Sequence, residues 1–246
     1  MRTSLMLVMA LLLSACKPAA RPANSETYVL AISWQPAFCE SAPRKPECRS
    51  QTARRLDARQ FSLHGLWPQP GTRVWCASDA ASIEADKNGR WRDIAMARLS
   101  QPLWHRLQLA MAGTQSNLHL HEWIKHGTCM AGVDAETYFG LSLALLDKVN
   151  ASALGRLFAA NSNSKITAGQ IRNAFEENFG KGSGERLRIA CFDDGKRRLV
   201  TEITIGLKGI LAAGQLDNAA FSALVLAAPK TDPGCPGGLV DIAGSQ

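Results

Sequence analysis

The chain has 246 residues, of which 46% are hydrophobic and 20% charged, and a formal net charge of +7 at pH 7. That length suits one domain or at most two, and that composition can bury a real core, which excludes a largely disordered chain. The positive balance favours polyanionic partners, RNA or anionic lipid headgroups, and says nothing of fold.

In chain order, Arg2 precedes an apolar run from Leu5 to Leu13, which is too short to span a bilayer and has the layout of an export signal. Its end, Leu13-Ser14-Ala15-Cys16, is similar to a bacterial lipobox, in which Cys16 becomes the lipidated first residue. The alternative is an ordinary cleaved signal with Cys16 lost. Residues 1–16 are thus assigned to the signal, 17–26 to a polar tether with Pro18 and Pro22, and 27–246 to a single domain. Lys17 follows the cysteine, and by analogy with bacterial lipoproteins the absence of Asp there points to the outer membrane. The expected location is therefore the periplasm, either anchored or free, or the exterior. Beyond Cys16, the six cysteines Cys39, Cys48, Cys76, Cys129, Cys191 and Cys235 suit three disulfides in an exported protein, and spacing alone does not choose the pairs. No CxxC pair is present, so a zinc ribbon or thioredoxin-like site is not expected.

Tyr28 to Trp34 reads as a strand stopped by Pro36, and Phe38 to Ala58 as mostly loop, with Arg54, Arg55 and Arg59 at its end. Phe61 to Trp67 is a second strand, ended by Pro68 and Pro70. Arg92 to Met111 carries apolar residues at helical spacing, interrupted by Pro102, which predicts two helices, the second with Pro102 in its first turn. Leu118 to Met130 is a candidate helix. Asp134 caps another through Val149, and Thr167 with Gln170 opens a third that runs to about Phe179 before Gly180. Leu187 to Phe192, Leu199 to Leu207 and Phe221 to Ala227 read as strands, and the tail from Pro229 as loop. Neither an internal repeat nor a Gly-rich phosphate loop is found. Strands, then helices, then strands predict an α+β domain with a mainly antiparallel central sheet packed with helices.

Two segments look chemical: Phe61-Ser62-Leu63-His64-Gly65-Leu66-Trp67-Pro68 and His121-Glu122-Trp123-Ile124-Lys125-His126-Gly127-Thr128-Cys129. On a helix, His121, Lys125, Glu122 and His126 fall within an arc of about 140°, with Trp123 and Ile124 outside it. A solvated helix face also gathers charge, but seldom with two histidines opposite Trp and Ile. A His-Glu-x-x-His zinc site needs histidines four apart; these are five apart, and Lys125 disfavours a dication. Phosphodiester cleavage by a 2′-hydroxyl fits better. It needs a base, an acid and cations on the phosphoryl oxygens, needs no metal or cofactor, and excludes DNA, which lacks the nucleophile.

The two segments, in this order, resemble the active-site segments of the ribonuclease T2 family, and Ser33-Trp34-Gln35-Pro36-Ala37-Phe38-Cys39 is similar to that family's first strand. The resemblance, which extends to the family's bacterial periplasmic members, runs roughly from Tyr28 to Cys235. It implies a general base at His126, a general acid at His64, phosphate binding by His121, and stabilisation of the transition state by Glu122 and Lys125. It also implies a base-stacking role for Trp67, with Trp75 a second candidate. The products implied are 2′,3′-cyclic phosphates and then 3′-phosphates, with low base specificity; Gln69 stands where several relatives have a base-contacting aspartate. The pairs Cys76–Cys129 and Cys191–Cys235 follow from the resemblance, leaving Cys39–Cys48. His105 and His119 match no catalytic position. The expected partners are RNA and a lipid anchor, with the chain a monomer. A family member that has lost activity and a metal hydrolase using His121, Glu122 and His126 are the competing functions.

Overall fold

In the computed structural model, residues 26–244 are described apart from 96, 213 and 215. The signal, Cys16 and nearly all of the tether lie outside the described residues, and Glu26, placed at the end of the tether by sequence, opens the first strand. The elements run β1 (Glu26–Ser33), α1 (Gln35–Ser41), α2 (Pro46–Arg49), β2 (Ser62–Pro68), α3 (Ala80–Lys87), α4 (Gln101–Ala110) and α5 (Leu118–Lys125). Next come α6 (Ala135–Asn150), α7 (Ala153–Ala160), β3 (Ser164–Thr167), α8 (Ala168–Phe179), β4 (Leu187–Asp193), β5 (Arg198–Gly209), α9 (Asn218–Ala227) and β6 (Gly237–Val240).

The sheet order is β2-β1-β5-β6-β3, with β4 also paired to β5. Every ladder is antiparallel except β5 with β6, which touch in parallel at Leu199 and Leu239. The expected α+β class with a mainly antiparallel sheet is therefore the fold observed. Strand β5 sets the core: Ile203, Ile205 and Leu207 are fully buried and alternate with Glu202, Thr204 and Gly206 on the other face. The same core takes in Phe139 and Leu143 of α6, Phe175 and Phe179 of α8, and Phe221 and Val225 of α9, which lies against β5.

Several expected elements differ from those observed. Phe221 to Ala227 is helix, not strand: Asp217 caps it by accepting from the Ala220 N–H, alanines favour the helix, and Phe221, Leu224 and Val225 share its buried face. The segment read as loop from Phe38 to Ala58 contains the end of α1, all of α2 and a 3-10 turn at Leu56–Ala58, with Pro36 and Pro46 in the first turns of the helices. The tail carries β6, and α3, α7 and β3 were not foreseen. The helix from Leu118 stops at Lys125, and Gly127–Cys129 continues as a 3-10 turn. The Asp134 cap, the Thr167–Gln170 capping box and Pro102 in the first turn of α4 stand as expected. The disulfides are Cys39–Cys48, Cys76–Cys129 and Cys191–Cys235.

Candidate active site

Strand β2 and helix α5 meet over Gly65. In the β1–β2 ladder, Ala31 faces Gly65 and Ile32 faces Leu63, so His64 is the extra residue of a β-bulge. A bulge bends the strand and re-aims its side chain, here toward α5. Below it, Tyr138 of α6 clamps Leu66: its hydroxyl donates to the Leu66 carbonyl at 3.0 Å and accepts from the Leu66 N–H at 3.3 Å. The other partner is fixed by the loop after β2. There the Trp75 N–H donates to the Lys125 carbonyl at 2.9 Å, and Cys76 is bonded to Cys129. These contacts satisfy one of the open carbonyls at the end of α5 and tie both ends of the site together.

Glu122 is the centre of the cluster. It is 1% exposed, and its Oε2 accepts from Trp67 Nε1 at 2.8 Å. Its Oε1 has no hydrogen-bond partner and lies 3.6 Å from His64 Nε2 and 3.9 Å from His121 Nε2. Burial raises the Glu122 carboxyl to about 7, opposed by the charge of His64, the Trp67 bond and Lys125. Gly65 makes this approach possible, because a Cβ there would sit 1.9 Å from Glu122 Oε2.

The three cluster histidines have different surroundings. His64 Nδ1 meets Glu202 Oε2 of β5 at 2.6 Å. Burial works against charge on His64, but the Glu202 bond and the charges of Glu122 and Glu202 outweigh it, and the pKa is raised. His126, the cap of α5, is hydrogen-bonded to no carboxylate among the described residues; burial, then Lys125, His121 and His64, press it down to about 3. His121 Nδ1 meets Asp86 Oδ1 at 2.5 Å, and its ring stacks on Trp91 with centroids 4.7 Å apart. Burial lowers its pKa, and Asp86 opposes that. The rings of His121 and His126 lie 6.1 Å apart, and Trp67 lies 5.6 Å from His126 and 5.2 Å from His64.

The structure thus gathers His64, Trp67, His121, Glu122 and His126 into one cleft, with Lys125 on the same helix. Trp75 lies at its edge with its indole N–H on Asp86 Oδ2 at 2.9 Å, and the ammonium groups of Lys87 and Lys125 lie 5.2 and 6.0 Å from its ring centre. His119 of α5 is buried against Trp104, and burial alone lowers it to about 4; His105 is exposed on α4. Arg55 pairs with Asp57, while Arg54 and Arg59 are exposed. Sequence reasoning missed Asp86, Trp91 and Glu202. The Asp79 cap followed by Ala80-Ala81-Ser82 would have signalled α3. A lone carboxylate in the run from Leu199 to Leu207 would have signalled Glu202. Neither signal names a histidine partner.

Two further features bear on the chemistry. Ligand atoms of His121, Glu122 and His126 lie within 4.8 Å of one another, close enough for a dication, but Lys125 brings a positive charge to the same place. Beside His64, a cavity of about 260 Å³ is lined by Phe38, Lys45, Glu47, Trp91, Ser116 and Leu118 among others.

Residues 25–222 match the model of the ribonuclease T2 family. The chain is 29% identical to Ribonuclease I of Escherichia coli over 74% of this chain and 75% of that one. Its fold is that of the Japanese pear S3-RNase (TM-score 0.56, 17% identity, 87% of this chain and 98% of that one) and of human RNase T2 (TM-score 0.53, 19% identity, 89% and 98%).

Gly65→Ala tests the packing of β2 on Glu122. The added methyl is expected to push the carboxylate off the Trp67 indole, moving the indole N–H resonance upfield and costing about 1–3 kcal/mol in denaturant unfolding. An unmoved resonance would show that Glu122 reaches Trp67 by another path.

Proposed function

The chain belongs to the ribonuclease T2 family and is an endoribonuclease, and we propose that it cleaves single-stranded RNA by metal-independent transesterification at the cluster around Glu122. The observation that carries the mechanism is the opposite bias of two histidines in one cleft: His64 held toward its charged form by Glu202 and Glu122, and His126 held neutral by burial and by Lys125. A neutral imidazole accepts a proton and a charged one donates it.

In the first step His126 takes the proton of the 2′-hydroxyl, the 2′-oxygen bonds to phosphorus, and the bond from phosphorus to the 5′-oxygen breaks as His64 donates its proton to that oxygen. The products are a 2′,3′-cyclic phosphate and a free 5′-hydroxyl. In the second step water adds to the cyclic phosphate with the two roles exchanged, leaving a 3′-phosphate. Lys125, His121 and Glu122 face the phosphoryl oxygens and stabilise the five-coordinate transition state. Trp67, half-buried between His64 and His126, offers a ring on which a base can stack, which every base can do. The leaving nucleoside departs from the His64 side, so the cavity beside His64 suits its base. Trp75, engaged by Asp86 and two lysines, serves better as an anchor than as a stacking platform.

Among the described residues no helix is long and apolar enough to cross a membrane. Export to the periplasm with a lipid on Cys16, or release without one, rests on the N-terminal sequence. After Cys16→Ser, the protein is expected to leave the membrane fraction; retention there would exclude the anchor.

Digestion of mixed-sequence RNA in excess chelator, with ends read by mass spectrometry, tests the mechanism. Wild type is expected to leave cyclic phosphate ends, and His64→Ala and His126→Ala to lose about 10²–10⁴-fold in rate. Loss of wild-type cleavage in chelator would instead favour a metal at His121, Glu122 and His126.

The pH profile supplies a second test. The acid works only while protonated, so kcat/KM falls as pH rises through the raised pKa of His64. Glu202→Gln removes a charge that favours protonation, lowers that pKa, and moves the alkaline limb to lower pH. An alkaline limb that stays in place would remove His64 from the acid role.

A further inference from the structure

We propose that Asp86 is a positioning residue that fixes the tautomer of His121 and lets bound phosphate draw a second proton onto its Nε2. The inference rests on the phosphate-binding role given to His121 above. Asp86 is 6% exposed, near the end of α3, between two donors. Its Oδ2 accepts from Trp75 Nε1 at 2.9 Å and its Oδ1 meets His121 Nδ1 at 2.5 Å. An indole N–H can only donate, and an ionised carboxylate can only accept. Nδ1 of His121 must therefore carry hydrogen.

The remaining freedom of the ring is removed from the side. Trp91 stacks on the His121 ring, and the Lys45 ammonium lies 4.8 Å from the Trp91 ring centre. Ala85, adjacent to Asp86, packs with Ile94, Leu120 and Ile124, which seats α3 on α5. Only Nε2 of His121 is left to face the cleft, 3.9 Å from Glu122 Oε1. With Nδ1–H fixed, a neutral His121 presents a lone pair at Nε2 and repels a phosphoryl oxygen. A second proton turns Nε2 into a cationic donor aimed at it. Asp86 is the group that stabilises that state, since burial, Lys125 and His64 work against it. The other groups facing the ring are Glu122 beside it and His126 at the end of α5.

Asp86→Asn preserves shape and breaks this logic. An amide offers one acceptor and one donor. Trp75 claims the acceptor, so the NH2 group faces Nδ1, which must then lose its hydrogen. His121 is forced to the Nε2–H form, which keeps only a neutral donor at Nε2; a second proton would set donor against donor, so the cationic donor is what is lost. The same inversion of a histidine by an Asp-to-Asn change is known from the serine protease triad. Removing the indole donor with Trp75→Phe frees the amide to turn its oxygen back to His121.

The experiment compares wild type, Asp86→Asn, Trp75→Phe and the double variant by RNA cleavage kinetics and inhibition by inorganic phosphate. Long-range 1H–15N spectra of the His121 ring are recorded in parallel. Asp86→Asn is expected to raise KM and the inhibition constant of phosphate by about 10- to 100-fold, with a smaller change in kcat. The double variant is expected to return toward Trp75→Phe. Neutral His121 is expected as Nδ1–H in wild type and Nε2–H in Asp86→Asn. Three results would overturn the proposal: wild-type phosphate inhibition in Asp86→Asn, a double variant as impaired as Asp86→Asn, or a wild-type Nε2–H tautomer. Should Asp86→Asn fail to fold, the wild-type spectrum alone decides. Unchanged cleavage by His121→Ala would refute the phosphate role of His121, while the tautomer spectrum still reports separately on Asp86.

Discussion

A single buried carboxylate, Glu122, is the constraint on which this site depends. Burial of a charge is costly unless donors and opposite charges surround it. The protein meets that cost by assembling elements far apart in sequence around α5. Strand β2 supplies the Trp67 indole and, at the bulge, His64; the missing Cβ of Gly65 lets the strand come close enough. Yet the surroundings fall short of full satisfaction: one oxygen stays without a hydrogen bond and faces two imidazoles. An oxygen so placed is suited to a positive charge or proton on either ring.

The same shortage of solvent divides the histidines. All three cluster imidazoles are partly buried, and burial pushes each toward the neutral form. What separates them is whether a carboxylate stands at Nδ1. Glu202 stands there for His64, Asp86 for His121, and, among the described residues, none for His126. The two carboxylates reach the site from distant parts of the chain, Glu202 on the face of the central strand β5 away from the core and Asp86 on the short helix α3. The sheet thus does more than support the site. Its face away from the core carries the carboxylate that favours the charged form of His64.

How much of this could be read from the amino-acid order follows from the range of each interaction. The capping residues Asp134 and Thr167 act over three residues, so the helices they open are legible. That His121, Glu122 and Lys125 share one helix follows from helical period and was legible too, whereas His126 sits at the cap just past the helix end. Phe221 to Ala227 was misread because a short apolar run has no period of its own, and Asp217, the cap that decides for helix, lies outside it. The bulge at His64 was illegible, since it is a property of two strands in register. Asp86 and Glu202 were illegible for the same reason. They are ordinary carboxylates until the fold places 35 residues of separation, or 138, across a single hydrogen bond.

That difference bears on where specificity of role resides. The motif residues supply three chemically identical rings and one carboxylate, and nothing local says which ring gives a proton and which takes it. The assignment comes from partners outside the motif, so two chains sharing both segments can differ in proton inventory if the groups at positions 86 and 202 differ. Conversely, a chain that kept His64 and Glu122 but lost the carboxylate on β5 would retain the recognisable segments with His64 pushed by burial toward its neutral form. The two active-site segments identify the chemistry that is available; the carboxylates behind them determine whether the rings hold the protonation states that the chemistry requires.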